Sequence, residues 1–151
     1  MLTAKDLGSN ITIISRASDE HSYSKLKRAG ADNVIMPDIV GGTRMAKLVT
    51  EPDIIEFLEM IMIHDDTKVH IEEISCNNMA TCFIDKKLSE LDMRKKTGAN
   101  LIGLKLGSGE FVFNPKPNIT LKMGDKLFVL GTPEEIGNLK QALISDDYFD
   151  N

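Results

Sequence analysis

Apolar residues over the first part of the chain alternate between short unbroken runs and helical spacing, as expected of strands alternating with helices. Ile11-Thr12-Ile13-Ile14 is the first run, and its β-branched content predicts a strand buried on both faces of a parallel sheet. A helix is predicted next: Ser18 supplies a cap, Asp19 and Glu20 fall in the first turn, Lys25, Lys27 and Arg28 lie near the end, and Gly30 closes it. Those charges complement the helix dipole. Val34-Ile35-Met36 reads as a second strand, ended by Pro37, which has no donor for a ladder. Strand, helix and strand with short links predict a right-handed parallel crossover.

Beyond Gly41-Gly42 a helix opening at Thr43 is predicted from Met45, Leu48 and Val49, and a further set, Ile54, Ile55, Leu58, Ile61 and Met62, continues past Pro52. Thr50-Glu51-Pro52-Asp53 resembles a new start with Thr50 as cap, which makes the region of Thr50 a candidate hinge. Phe57 and Met60 widen the apolar surface of the second helix, so it is expected to pack against something outside this sheet. A polar link, His64-Asp65-Asp66, marks a domain boundary. After it, Val69 to Ser75, Leu101 to Leu106, Glu110 to Phe113 and Lys126 to Leu130 read as strands, with Gly107-Ser108-Gly109 and Gly124-Asp125 as turns. Leu88 to Lys96 reads as a short helix, and Thr132-Pro133-Glu134-Glu135 starts a final one whose apolar face is Ile136, Leu139, Ala142 and Leu143. The fold class is α/β.

Composition narrows the function. The 151 residues carry a net charge of -5, and Asp146, Asp147 and Asp150 gather near the end, so binding a phosphate backbone is not the main activity. No apolar run approaches the roughly 20 residues of a bilayer crossing, and Met1 to Asn10 lacks a signal peptide's apolar centre. Cys76 and Cys82 are read as thiols in a reducing compartment, as packing residues that flank a strand. No G-x-G-x-x-G and no G-x-S-x-G occurs, and no catalytic residue is assigned. His64, His70, Cys76 and Cys82, even beside Asp65, Asp66, Glu72 and Glu73, lack the close pairs of a structural zinc site, so no metal ligand is assigned. Asp92, Arg94 and Asn100 combine an acceptor, a cationic fork and an amide near Gly98, a set that suits a planar charged ligand. On residue types alone the simpler reading is an exposed helix face followed by a turn residue.

The chain resembles the RCK family, the cytosolic regulator-of-potassium-conductance domains of prokaryotic potassium channels and of Trk and Ktr uptake systems. The resemblance is carried by ITIISRASDEHSYSKLKRAGADNVIMPDIVGGTRMA (Ile11 to Ala46), by LSELDMRKKTGANLIGLKL (Leu88 to Leu106), and by the pattern P-x-P-x-x-x-L-K-x-G-D-x-L-x-V-x-G-x-x-E-E-I-x-x-L (Pro115 to Leu139). It implies a partial Rossmann-like parallel βαβ lobe with crossover helices that dimerise (residues 1–63), then a small α+β TrkA-C-like ligand-sensing lobe with a terminal helix (residues 64–151). Relative to the family the chain starts in the middle, as a fragment lacking the first strands and the Gly-rich nucleotide loop.

The resemblance also implies ligands. Some members bind a nucleotide, NAD or ATP/ADP, in the intact N-terminal lobe, and the matching remnants are Asp38, after the "I-x-P" run, and Arg16 at a strand end. Others bind calcium through acids where Ser15-Arg16-Ala17-Ser18 stands here. In members that bind cyclic di-AMP at the dimer interface of the C-terminal lobe, the matching positions are Leu88, Asp92, Met93, Arg94, Asn100, Leu101 and Pro115, with Lys95 and Lys96 in place of smaller residues. The expected function is a cytosolic, non-enzymatic gating module. It acts as a homodimer or within a higher ring, takes a small regulatory ligand, and serves a potassium channel or transporter pore without inserting into the membrane. The competing readings are a fragment of an NAD-linked oxidoreductase and a dimeric scaffold with no small ligand.

Overall fold

The computed structural model describes residues 11–62 and 69–145. Readings that rest on Met1 to Asn10, on His64, Asp65 and Asp66, and on Asp146, Asp147 and Asp150 fall outside the described residues. The chain divides into two compact units, 1–57 and 58–151.

The first unit holds β1 (Ile14–Arg16), α1 (Glu20–Arg28), β2 (Asn33–Ile35) and α2 (Pro37–Thr50). The two strands pair in parallel, as predicted, with Ile14 opposite Asn33 and Arg16 opposite Ile35, and β1 lies further toward the C-terminus than the Ile11 to Ile14 run. Ala17 and Ala31 are the buried hydrophobics of this unit among the described residues. The expectation of a strand buried on both faces fails: Ile14 is 64% exposed, because this sheet has two strands among the described residues and nothing stacked over that side chain. The cap of α1 is Asp19, not Ser18. Asp19 is extended, and its carboxylate accepts from the Ser22 N–H and from the Ser22 hydroxyl at 2.8 Å each, so the helix starts one residue later than a Ser18 cap would place it. Gly30 follows the helix at φ 92°, the left-handed conformation that only glycine adopts without cost.

Helix α2 begins at Pro37, six residues before the predicted start at Thr43. Proline fits the first helical position because its missing N–H has no intrahelical partner there, and Gly41 and Gly42 lie inside the helix. Thr50 is likewise not a cap. It is the last residue of α2, and its hydroxyl donates back to the Ala46 carbonyl at 3.3 Å. The break falls on Glu51, at φ -143° and ψ 55°, and α3 (Pro52–Met62) starts directly after it. Pro52 can donate no bond to the preceding turn, which is the cause of the interruption. Both helices expose large apolar side chains, among them Met45, Val49, Ile54, Phe57 and Met62.

The second unit is built on an antiparallel sheet of β3 (His70–Ser75), β6 (Lys126–Gly131), β4 (Asn100–Lys105) and β5 (Phe111–Phe113), in that spatial order. Each predicted strand is present with no end moved by more than one residue. Leu127 and Val129 of β6, Ile74 of β3 and Leu104 of β4 turn to one face and join Ile136, Leu139 and Leu143 of α6 (Pro133–Ile144) in the core. Fully burying each such side chain stabilises by roughly 1.5–3 kcal/mol. Phe83, Leu91, Met93 and Leu121 close the remaining sides. Helix α6 starts with the predicted capping box: the Glu135 N–H donates to Thr132 Oγ1 at 3.2 Å and the Thr132 N–H to Glu135 Oε2 at 2.7 Å.

Two readings of this unit are corrected. No strand lies between Cys76 and Cys82: Cys76 directly follows β3, each cysteine lies in a single 3-10 turn, Cys76–Asn78 and Thr81–Phe83, and the two are not joined by a disulfide. The helix predicted over Leu88 to Lys96 is two, α4 (Leu88–Leu91) and α5 (Met93–Thr97). Asp92 separates them in the left-handed region at φ 42° and ψ 36°. A carboxamide or carboxylate side chain tolerates that conformation better than most, and the helical repeat cannot run through it.

Candidate ligand-binding site

The break at Asp92 turns the chain so that α4 and α5 enclose a corner. Helix α4 is fixed to the loop beyond β5 by two backbone bonds, from the Leu88 N–H to the Ile119 carbonyl and from the Ser89 N–H to the Pro117 carbonyl, both 2.9 Å. Helix α5 is closed by Gly98, whose N–H donates to the Arg94 carbonyl at 2.9 Å, and by Thr97, whose hydroxyl donates to the Met93 carbonyl at 2.8 Å. Gly98, at φ 87°, reverses the chain into β4, so Asn100 and Leu101 arrive beside the helix that carries Arg94. The loop leaving β5 is held to β4 by the Asn114 N–H, which donates to the Ile102 carbonyl at 3.0 Å, and this brings Pro115 alongside.

The outcome is a cavity of about 300 Å³ lined by Leu88, Asp92, Met93, Arg94, Asn100, Leu101 and Pro115, together with Ser89 and Pro117. All seven C-terminal positions singled out in the sequence border this one depression. Ser89 and Pro117 are additions that the sequence reading lacks, although Ser89 shares a turn with Leu88 and Pro117 completes the P-x-P run. Leu88 and Met93 are buried and form an apolar floor, whereas Asp92, Arg94 and Asn100 stand exposed at the rim. The simple reading, an exposed helix face and a turn residue, therefore holds for Arg94, which is exposed on α5, but not for the other two. Asp92 occupies a helix break and Asn100 opens a strand.

Charge at the rim is mostly positive. Lys95 Nζ lies 3.8 Å from the Asp92 carboxylate, an exposed contact of small energetic value. The Arg94 guanidinium has no ion-pair partner among the described residues, so its donors are available to an anion. An apolar floor with an arginine, an amide and a carboxylate around it can sandwich a planar ring, read its edge and bind an attached phosphate.

The other predicted positions are separate. Arg16 ends β1, and Asp38 falls in the first turn of α2, three residues past Ile35, the partner of Arg16 across the ladder. Both follow the carboxyl ends of parallel strands, where ligands of such sheets collect. Of the residues weighed as metal ligands, Glu73 accepts from Lys126 Nζ at 2.6 Å and Glu72 pairs with Lys140 and lies 3.8 Å from His70. No group of three potential metal ligands occurs among the described residues. Burial, followed by the nearby Asp125 carboxylate, pushes the Cys76 thiol up to about 11, so it remains protonated and unreactive near neutrality.

Comparison with known proteins agrees with this architecture. Residues 73–143 match the family model of the TrkA-C domain. Among curated relatives, "Probable potassium channel protein 2" of Methanocaldococcus jannaschii is 35% identical over 150 residues, 94% of this chain and 42% of the relative. "Ktr system potassium uptake protein C" of Bacillus subtilis is 25% identical over 95% of this chain and 60% of its own length. The chain thus spans less than two thirds of either relative. A solved human SLO3 gating ring shares the fold at a TM-score of 0.66 and 15% identity, covering 97% of this chain and 31% of that one. No helix among the described residues is long and apolar enough to cross a membrane.

Proposed function

We propose that this chain is a cytosolic, non-enzymatic regulatory module that gates a potassium channel or potassium uptake transporter in response to a small ligand. Its working parts are a partial RCK N-terminal lobe with dimerisation helices (1–63) and a ligand-sensing lobe (64–151). The exposed apolar residues of α2 and α3 support dimerisation, because apolar surface of that kind gains roughly 25 cal/mol per Å² when a second copy covers it. Such dimers can assemble further into a ring around a pore.

The observation that carries the reading is the convergence of Leu88, Asp92, Met93, Arg94, Asn100, Leu101 and Pro115 on one cavity. Its ligand is cyclic di-AMP. Leu88, Met93, Leu101 and Pro115 contact an adenine ring, Asn100 and Asp92 meet its polar edge, and Arg94 takes a phosphate. A cavity of about 300 Å³ is at the small end for such sites; it suits one half of a symmetric dinucleotide, the other half belonging to a second copy. Arg16 and Asp38 are the remnant of a separate nucleotide site for NAD or ATP/ADP in an intact N-terminal lobe. Gating requires the ligand to favour one arrangement, and each tenfold preference is worth about 1.4 kcal/mol.

Isothermal titration of the chain with cyclic di-AMP, ATP, ADP and NAD tests the reading. Saturable cyclic di-AMP binding at one ligand per two chains is expected. A response to NAD alone would favour the oxidoreductase fragment, and silence with every ligand would favour the scaffold.

A further inference from the structure

Four polar side chains line the cavity bordered by α4 and α5: Ser89, Asp92, Arg94 and Asn100. The proposed fit gives Arg94 to a phosphate and gives Asp92 and Asn100 to the edge of the adenine, which leaves Ser89 without a role. Ser89 is nonetheless firmly placed. Its N–H donates to the Pro117 carbonyl at 2.9 Å, and the Leu88 N–H just before it donates to the Ile119 carbonyl at the same distance. The backbone beneath the side chain is thus tied at two successive positions. Ser89 and Asp92 stand three apart around the single turn of α4, the spacing that puts two side chains on one face, and both border the cavity.

The Ser89 hydroxyl, by contrast, makes no hydrogen bond among the described residues. A helical serine often bonds back to a neighbouring carbonyl or caps its own helix. Here it does neither, and α4 carries no side-chain cap. The cavity therefore offers one neutral group, able both to donate and to accept, on a backbone that is already ordered.

Each half of a 3′,5′-linked cyclic dinucleotide carries a phosphate, a base edge and one free sugar hydroxyl. We infer, on the reading that this cavity holds half of cyclic di-AMP, that Ser89 bonds the ribose 2′-hydroxyl and makes the site selective for the ribo form over the 2′-deoxy form. The two hydroxyls match because each both donates and accepts, so either arrangement of the protons gives a bond. The stronger, charged groups of the rim are taken by the phosphate and the base edge, which gain more from them. Selectivity is of limited size: Ser89 is exposed in the free protein, so water serves the hydroxyl when the ligand lacks its partner, and only the net value of a neutral hydrogen bond is lost.

Four affinities measured by titration calorimetry test this, those of the unaltered protein and of Ser89→Ala, each with cyclic di-AMP and with its 2′-deoxy counterpart. The unaltered protein is expected to bind the deoxy ligand about 10-fold more weakly, two neutral hydrogen bonds being lost from a ligand shared by two copies. Ser89→Ala should bind cyclic di-AMP more weakly by a similar factor and should no longer tell the two ligands apart, whereas Ser89→Thr, which keeps a hydroxyl, should retain the preference. Melting temperatures should not move, because the side chain is exposed. A preference that survives Ser89→Ala overturns the inference, and so does an unaltered protein that binds both ligands equally; either result leaves cyclic di-AMP in the cavity. A protein silent to both ligands overturns that reading and the role of Ser89 with it.

Discussion

Gly98 and Glu135 approach so closely that a Cβ on the glycine would stand 2.6 Å from Glu135 Oε1. The same carboxylate completes the capping box of α6 through Oε2, so the end of the helix carrying Arg94 and the start of the terminal helix pack around one side chain.

Gly98→Ala meets two obstacles, the left-handed backbone at φ 87° and the collision with Glu135. A loss of about 2 kcal/mol or more is expected in urea unfolding. A change under about 0.5 kcal/mol, the range of ordinary surface substitutions, would count against this packing account.

Asp92 allows stability and binding to be separated. Asp92→Gly should leave the melting temperature nearly unchanged, since glycine accepts φ 42° freely, whereas Asp92→Val should cost about 1–2 kcal/mol. Both remove the acceptor at the cavity rim, so both should weaken cyclic di-AMP. Equal melting temperatures for the two variants would show that the helix break carries no strain.

Arg94→Ala should lower cyclic di-AMP affinity by about 10- to 100-fold, the loss expected for a hydrogen bond to a charged group worth about 1.5–3 kcal/mol. Arg94→Lys should recover only part of it, because an ammonium cannot reproduce the planar fork. Titration calorimetry of both variants checks this, with unchanged circular dichroism melts as the control for folding.

Asp125→Ala removes the acceptor for both the Gly107 and the Lys122 N–H groups at a site 3% exposed. Leaving those donors without their charged partner should destabilise the unit by about 3 kcal/mol. A wild-type denaturation midpoint in this variant would mean that water replaces the carboxylate without loss.

The raised pKa of Cys76 has a defined sign. Unfolded, the thiol ionises near its ordinary value of 9.0, whereas folded it stays neutral to about 11. The folded protein therefore holds the extra proton between those values, and stability falls as pH rises from about 9 toward 11. Cys76→Ala should flatten that decline in melts at constant ionic strength; an identical slope would assign it to other groups.

Much of this architecture is legible in short-range signals. Thr132 with Glu135 announces a helix start because every partner lies within one turn, and the apolar alternation of Lys126 to Leu130 shows which face meets the core. Positions decided by competition between neighbours are harder to read. Ser18 and Asp19 are both good caps, and only the backbone angle of Asp19 selects it. Thr50 has cap chemistry, but it lies inside a helix that has already started at Pro37, so its hydroxyl turns back to Ala46. The site shows the same division. Residue types point to Asp92, Arg94 and Asn100, and family resemblance adds the apolar partners. The left-handed break that lets them share a corner has no marker beyond an aspartate.

The pairing of β3 with β6 joins His70 to Gly131 and Ser75 to Lys126. During synthesis, then, β6, which lies between β3 and β4 in this sheet, emerges from the ribosome after the other three strands. Until it does, β3 lacks its one neighbour in the sheet among the described residues, and closing a loop of that length is slow compared with local helix formation. A nascent chain stalled before Lys126 would present bare strand edges to chaperones and to other chains, while one released after Gly131 could close the sheet in a single step.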